Sequence, residues 1–162
     1  MAFPSRAAAL AAALALVASV ALAQQHVQAP EAARLGAESG DARTLVSLPE
    51  PMRQHMLANM RDHLRSLQAI DVALSKGEYD KAADVAETGL GLSSLEAHGA
   101  AHLAPYMPKA MQAIGTEMHR AASRFAVEAQ NASVGNDLRP ALAALGSVMA
   151  HCVACHATYR VH

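Results

Sequence analysis

Tryptophan is missing from this chain of 162 residues, and three Tyr and two Phe bring the aromatic share to only 3%. A domain so poor in large side chains has to fill its interior with Ala, Leu and Met, or with something else that is large and flat. Charge of one sign is not in excess either. The 13 Lys+Arg oppose 14 Asp+Glu, which points neither to nucleic acid nor to an anionic membrane surface. There are only two cysteines, so a structural zinc, which wants four ligands, lacks a third thiolate. Strand-like alternation is absent. Beyond the N-terminus no segment reads as long and apolar enough to span a bilayer, and the expectation is a chain with no membrane span once that N-terminus is removed.

What the N-terminus does have is an export address. Arg6 gives a positive start, Ala7 to Ala21 is small and apolar apart from Ser19, and Ala21-Leu22-Ala23 before Gln24 has the small-x-small form of a cleavage site. Residues 1–23 are therefore read as a signal peptide and the destination as the periplasm. The apolar run, about 17 residues and rich in Ala rather than Leu, is short for a membrane anchor. Residues 24–48, with Pro30, Gly36 and Gly40 and no sustained period, read as a flexible leader. Residues 49–162 are of a size for one domain.

Within that domain the apolar residues recur at helical spacing. Met52, Met56, Met60, Leu64, Leu67, Ile70 and Leu74 form one stripe of a helix that ends at Lys76-Gly77. Asp80 is placed to cap a shorter helix from Lys81 to about Leu90, and a loop rich in Gly, Ser and His runs on to Pro105 and Pro108. A third helix spans Lys109 to about Asn131, with Met111, Ile114, Met118, Ala121 and Phe125 inward. In the fourth, Asp137 reads as the N-cap and Leu138, Leu142, Leu145, Met149, Cys152, His156 and Tyr159 as a core-facing seam. Four helices with mostly short links predict an all-α fold, an antiparallel four-helix bundle able to house a cofactor between facing helices.

Cys152-Val153-Ala154-Cys155-His156 carries the chemistry. C-x-x-C-H is the attachment signature of c-type haem: Cys152 and Cys155 would form thioethers to the porphyrin edge, and His156 would supply the proximal nitrogen to iron. On a helix the three side chains fall within an arc of about 100°, so one face holds one haem c per chain. A redox dithiol belongs at a helix start in a βαβ context, which is not the setting here. Thioether attachment outside the cytoplasm also agrees with the export signal.

The motif stands near the C-terminal end and continues as Ala157-Thr158-Tyr159-Arg160. In this it resembles the class II cytochromes c, the cytochrome c prime family, which run C-x-x-C-H-x-x-(Tyr or Phe)-Arg close to the C-terminus of a four-helix chain. The likeness covers roughly Pro49 to Arg160, including Arg53-Gln54 early in the first helix and Lys76-Gly77-Glu78-Tyr79 at its end. It implies electron transfer between periplasmic redox partner proteins in the Met-ligated branch, with no enzymatic reaction, or nitric oxide and carbon monoxide binding in the five-coordinate branch. Members often dimerise through their first two helices, so a homodimer is among the expectations.

The same resemblance points to the distal side. Met60 lies close to the distance before the loop glycine, Gly77, at which the family carries its distal residue, and Met60-Arg61-Asp62 is similar to the Met-Lys-Asp run of the Met-ligated branch. Met60 is the expected sixth ligand, with Met56 one turn earlier in reserve. Each methionine has packing as its ordinary role. His63 could also ligate, or face solvent. Arg53 and Arg160 are candidates for the haem propionates, because a guanidinium offers two parallel donors to a carboxylate. One feature departs from the family: nine histidines, with His98, His102, Met107, Met111, Met118 and His119 close together. Imidazole with thioether suits copper, which makes a copper-handling protein the further alternative.

Overall fold

Two prolines start the first long helix. Pro49 stands at its N-cap and Pro51 in its first turn, where a missing amide hydrogen costs nothing. In the computed structural model, which describes residues 40–162, this helix, α1, runs Glu50–Ser75. It stops where the sequence says it should. Gly77 takes a left-handed φ of 71°, Glu78 N donates to Ala73 O at 2.9 Å and Gly77 N to Leu74 O at 3.0 Å, which is the Schellman arrangement. Residues 1–23, expected to be a signal peptide, and most of the expected leader lie outside the described residues.

The second helix, α2 (Tyr79–Gly89), begins two residues earlier than Asp80 suggests. Glu78 is the N-cap, and Asp80 sits in the first turn, where its charge favours the positive end of the helix dipole. The stretch after α2, expected as loop, winds into a 3₁₀ turn at Leu92–Ser94, a short helix α3 (Ala100–Leu103) and a second 3₁₀ turn at Ala104–Tyr106. Side chains pin it: Leu92 N donates to Ser123 Oγ at 3.0 Å, and Gln112 Nε2 donates to the Ala104 and Met107 carbonyls. The longest helix, α4, covers Lys109–Gly135 and ends on Asn136 in the left-handed region, one turn beyond Asn131. The last, α5, is Arg139–Thr158. Asp137 caps less than expected, since Leu138 holds the N-cap position while Asp137 Oδ1 accepts from Arg139 N at 3.1 Å.

Packing follows chain order: α1 lies on α2, α2 on α4 and α4 on α5. Among the described residues, ten of the buried apolar side chains are alanines (Ala73, Ala82, Ala83, Ala86, Ala121, Ala122, Ala126, Ala129, Ala132 and Ala141). Small contact residues let helix axes approach to the short end of the usual 8–10 Å range, which is how a chain without tryptophan makes a dense interior. Phe125 is the largest fully buried side chain of this core. By contrast α1 and α5 have hardly any direct backbone approach.

A strand pair appears where none was expected. β1 (Thr44–Leu45) runs parallel to β2 (Tyr159–Arg160), with Thr44 opposite Tyr159 and Leu45 opposite Arg160, and Val46 N donates to Arg160 O at 2.8 Å. Arg43–His162 therefore form one compact unit, and packing begins before the boundary read at residue 49. Val46 is buried.

Candidate functional site

Helix α5 presents the expected face only in part. Of the seam, Leu138, Leu145 and Cys152 pack against the main core and Tyr159 against a second one, while Leu142, Met149 and His156 are exposed, and the fully buried residues of the helix are Ala141 and Val148 beside them. The reason is the alanine surface of α4: close approach favours the smaller residues of α5 at the contact line and leaves the larger ones beside it. The sector that runs from Cys152 through His156 and Met149 to Leu142 and Val153 covers about 100° of the helix. It is apolar and open, with Met149 46%, Leu142 50% and Val153 66% exposed.

Cys152 and Cys155 flank that contact line, both free and half-buried. Cys152 packs against the main core and its Sγ approaches Val148 O at 3.5 Å. Burial pushes both thiols up from their ordinary range, and for Cys155 the neighbouring Cys152 adds to the effect. Neutral thiols of this kind are poor nucleophiles, unlike the thiolate of a redox dithiol. The His156 ring is exposed, while its backbone carbonyl accepts from Arg43 Nη1 at 3.3 Å.

A second, smaller core joins the end of α5 to α1. Its buried centre is Val46, Met56, Leu103 and Met111, and Met52, Met60, Met107, Cys155 and Tyr159 pack around it. All three methionines of the α1 stripe are thus gathered with one cysteine of the attachment motif. Met56 is only 7% exposed, whereas Met60 is more open. Long unbranched thioether side chains bridge the space that the backbones of α1 and α5 leave between them.

The two arginines are placed differently. Arg53, in the first turn of α1, gives Nε and Nη2 to Glu50 Oε2 at 2.9 and 2.6 Å. Hydrogen bonds from Gln54 and then Arg53 hold the Glu50 carboxyl below the usual carboxylate range. Arg160 belongs to β2, its Nε atom is buried, and Nη1 donates to His162 O at 3.0 Å.

The His- and Met-rich segment is divided by the fold. Met107 and Met111 turn toward the methionine core, His102 is exposed on α3, and His98 packs instead with His63 of α1 and His119 of α4. His63 is half-buried rather than solvent-facing. The place of His119 could not be foreseen, because two of its neighbours, Ser94 and His98, come from an irregular segment. Among the described residues α5 alone is long and apolar enough to cross a membrane by length and composition, which corrects the expectation that no such segment follows the N-terminus. Its one long face on α4 explains why it is also a helix of this fold. No family model, curated protein or solved structure matches the chain.

Proposed function

We propose that the chain is a periplasmic monohaem c-type cytochrome, an antiparallel four-helix bundle that carries single electrons between redox partner proteins and catalyses no reaction of its own. The observation that carries this reading is the position of the attachment motif. Cys152, Cys155 and His156 stand on the last turns of α5, with Cys152 and His156 at the edge of an open apolar sector and Cys155 against the methionine-rich core that reaches α1. A large, flat, mostly apolar group needs apolar cover on both faces, and these are the two surfaces that offer it.

Cys152 and Cys155 would hold the porphyrin edge through thioethers and His156 would bind iron on the proximal side. Met60 is our distal candidate, with Met56 in reserve because its burial marks it as a core residue. Haem c at this site supplies a one-electron iron couple. The protein's part is to exclude water from one edge, through Val46, Leu103 and the methionines, and to leave the α5 sector near the surface, where an electron can pass to a partner. Arg160 remains a candidate for a propionate, and Arg53 would have to give up Glu50 to serve as one.

Mass spectrometry of the exported protein from a host competent in cytochrome c maturation tests the proposal. The expected mass exceeds the processed polypeptide by one haem, and Cys152→Ala with Cys155→Ala returns it to the bare chain. A wild-type mass without the addition sinks the reading. A second reading, binding of nitric oxide or carbon monoxide at an open iron position, is favoured by one observation: Met56 is buried as packing and its neighbours Met52 and Met60 belong to the same core. A broad high-spin spectrum that responds to carbon monoxide selects it.

A further inference from the structure

Three imidazoles from three separate segments meet. His63 comes from α1, His98 from the turn before α3, and His119 from α4. Their ring centroids are 4.7 Å apart for His63 and His98, 5.6 Å for His98 and His119, and 6.0 Å for His63 and His119. His63 Nε2 faces His98 Nδ1 at 3.5 Å. Around a tetrahedral ion with nitrogen bonds of 2.0–2.1 Å, donors stand about 3.3 Å apart and imidazole centroids about 5.2 Å. The trio is within about 1 Å of that spacing.

The rings are set in place from outside. His119, 8% exposed, directs Nδ1 at the Leu90 carbonyl at 2.7 Å. A carbonyl only accepts, so Nδ1 carries the proton and Nε2 keeps the lone pair, the usual way an imidazole is oriented to ligate. Ser94 donates its hydroxyl to Gly91 O at 2.7 Å, and its oxygen, which can then only accept, lies 3.3 Å from His98 Nδ1 and 3.4 Å from His119 Nδ1, so His98 offers Nδ1 to an ion only by releasing Ser94 and shifting its proton to Nε2. His98 is held by its own backbone: its carbonyl accepts from Asn59 Nδ2 and from His55 Nε2, both at 2.8 Å. Gly99 permits this clamp, because its φ is 60° and a Cβ there would stand 2.7 Å from His55 Nε2.

We propose that His63, His98 and His119 form a tris-imidazole site for a divalent first-row transition ion of the zinc and copper(II) kind, outside the C-x-x-C-H motif and independent of it. Three neutral nitrogens suit these ions, whereas magnesium and calcium want oxygen. As they stand, no three or more His, Cys, Asp or Glu side chains among the described residues, these three included, are placed to hold a metal ion. Closure here takes rotation of the rings about a soft terminal torsion and shifts of about 1 Å, with water completing the fourth position. Burial first, and the neighbouring rings second, hold the His63 pKa down to about 4, so its lone pair is available at neutral pH.

The test uses the full chain, stripped with EDTA and titrated at pH 7.5 with zinc sulfate and, separately, copper(II) sulfate against a chromophoric chelator. One equivalent binds, and zinc and copper compete for it; if only one of them binds, that one is the ion. His63→Gln and His98→Gln each weaken binding at least thirtyfold with an unchanged far-UV circular dichroism spectrum, while His102→Gln and His151→Gln leave it as it was. No stoichiometric binding of either ion, or binding that survives His63→Gln, overturns the site. Because none of these residues belongs to the attachment motif, the Cys152→Ala, Cys155→Ala variant retains the site, and loss of binding there counts against it.

Discussion

His63 resists protonation in the folded chain. Its pKa, lowered to about 4 by burial and then by His98 and His119 and partly opposed by Asp62, lies below the ordinary histidine value. His98 is lowered too, by burial first and then by His119, with Asp62 opposing and His55 adding. A group with a depressed folded pKa leaves the unfolded chain holding more protons, so its stability contribution is full above pH 6.5 and is lost as pH falls toward 4. With EDTA present, denaturant unfolding between pH 7 and 4 should show stability falling by about 1.4 kcal/mol per pH unit per proton taken up. His63→Gln should flatten that slope. The methionines separate at the same scale. Met56→Ala empties a buried position and should cost about 2–5 kcal/mol, with little change in the optical spectrum if the chain carries the proposed haem. On the proposal that Met60 is the sixth ligand of that haem, Met60→Ala should turn a low-spin spectrum high-spin, admit carbon monoxide and lower the reduction potential, because a thioether that favours ferrous iron would be lost. The reverse assignment of these two spectra would move the ligand to Met56.

At the scale of elements, α5 shows how contact residues choose a face. Ala141 and Val148 are fully buried at the contact with the alanine-rich core, and Leu138, Leu145 and Cys152 pack beside them partly buried. A larger residue at that contact should be harmful even though it is more hydrophobic. Ala141→Leu forces α4 and α5 apart and should cost about 1–3 kcal/mol, read as a lower midpoint in urea, whereas Leu142→Ala on the open sector should change it little. The stop of α1 was legible because Gly77 is the residue that a left-handed C-terminal position wants. The stop of α4 was missed, since Asn136 fills the same role with a side chain less diagnostic than glycine.

In the whole molecule, α1 and α5 are joined by side chains and by the β1–β2 pair rather than by close backbone packing. Val46 sits at the meeting point: its amide donates to Arg160 O and its side chain belongs to the methionine core. Val46→Ala should remove about 1.5–3 kcal/mol of stability. Hydrogen exchange should report where: faster exchange at the amide of residue 46 and across the end of α5, with α2 and the middle of α4 protected as before. A uniform rise throughout would mean that the clasp folds as one unit with the bundle core.

Local signals by themselves determined that α1, α4 and α5 form, and where α1 stops, because apolar period, proline at a first turn and glycine at a stop act within a few residues of chain. They also determined that Cys152, Cys155 and His156 share one turn of helix, which follows from spacing once the segment is helical. Tertiary structure alone decided how that turn is rotated on the core, with Ala141 and Val148 buried and Leu142, Met149 and His156 left open. It alone brought Met52, Met56 and Met60 to Cys155, and His63 to His98 and His119. Those meetings depend on how residues 91–108 wind and on a left-handed Gly99, and a two-residue strand pair has too little length to leave a period in the sequence.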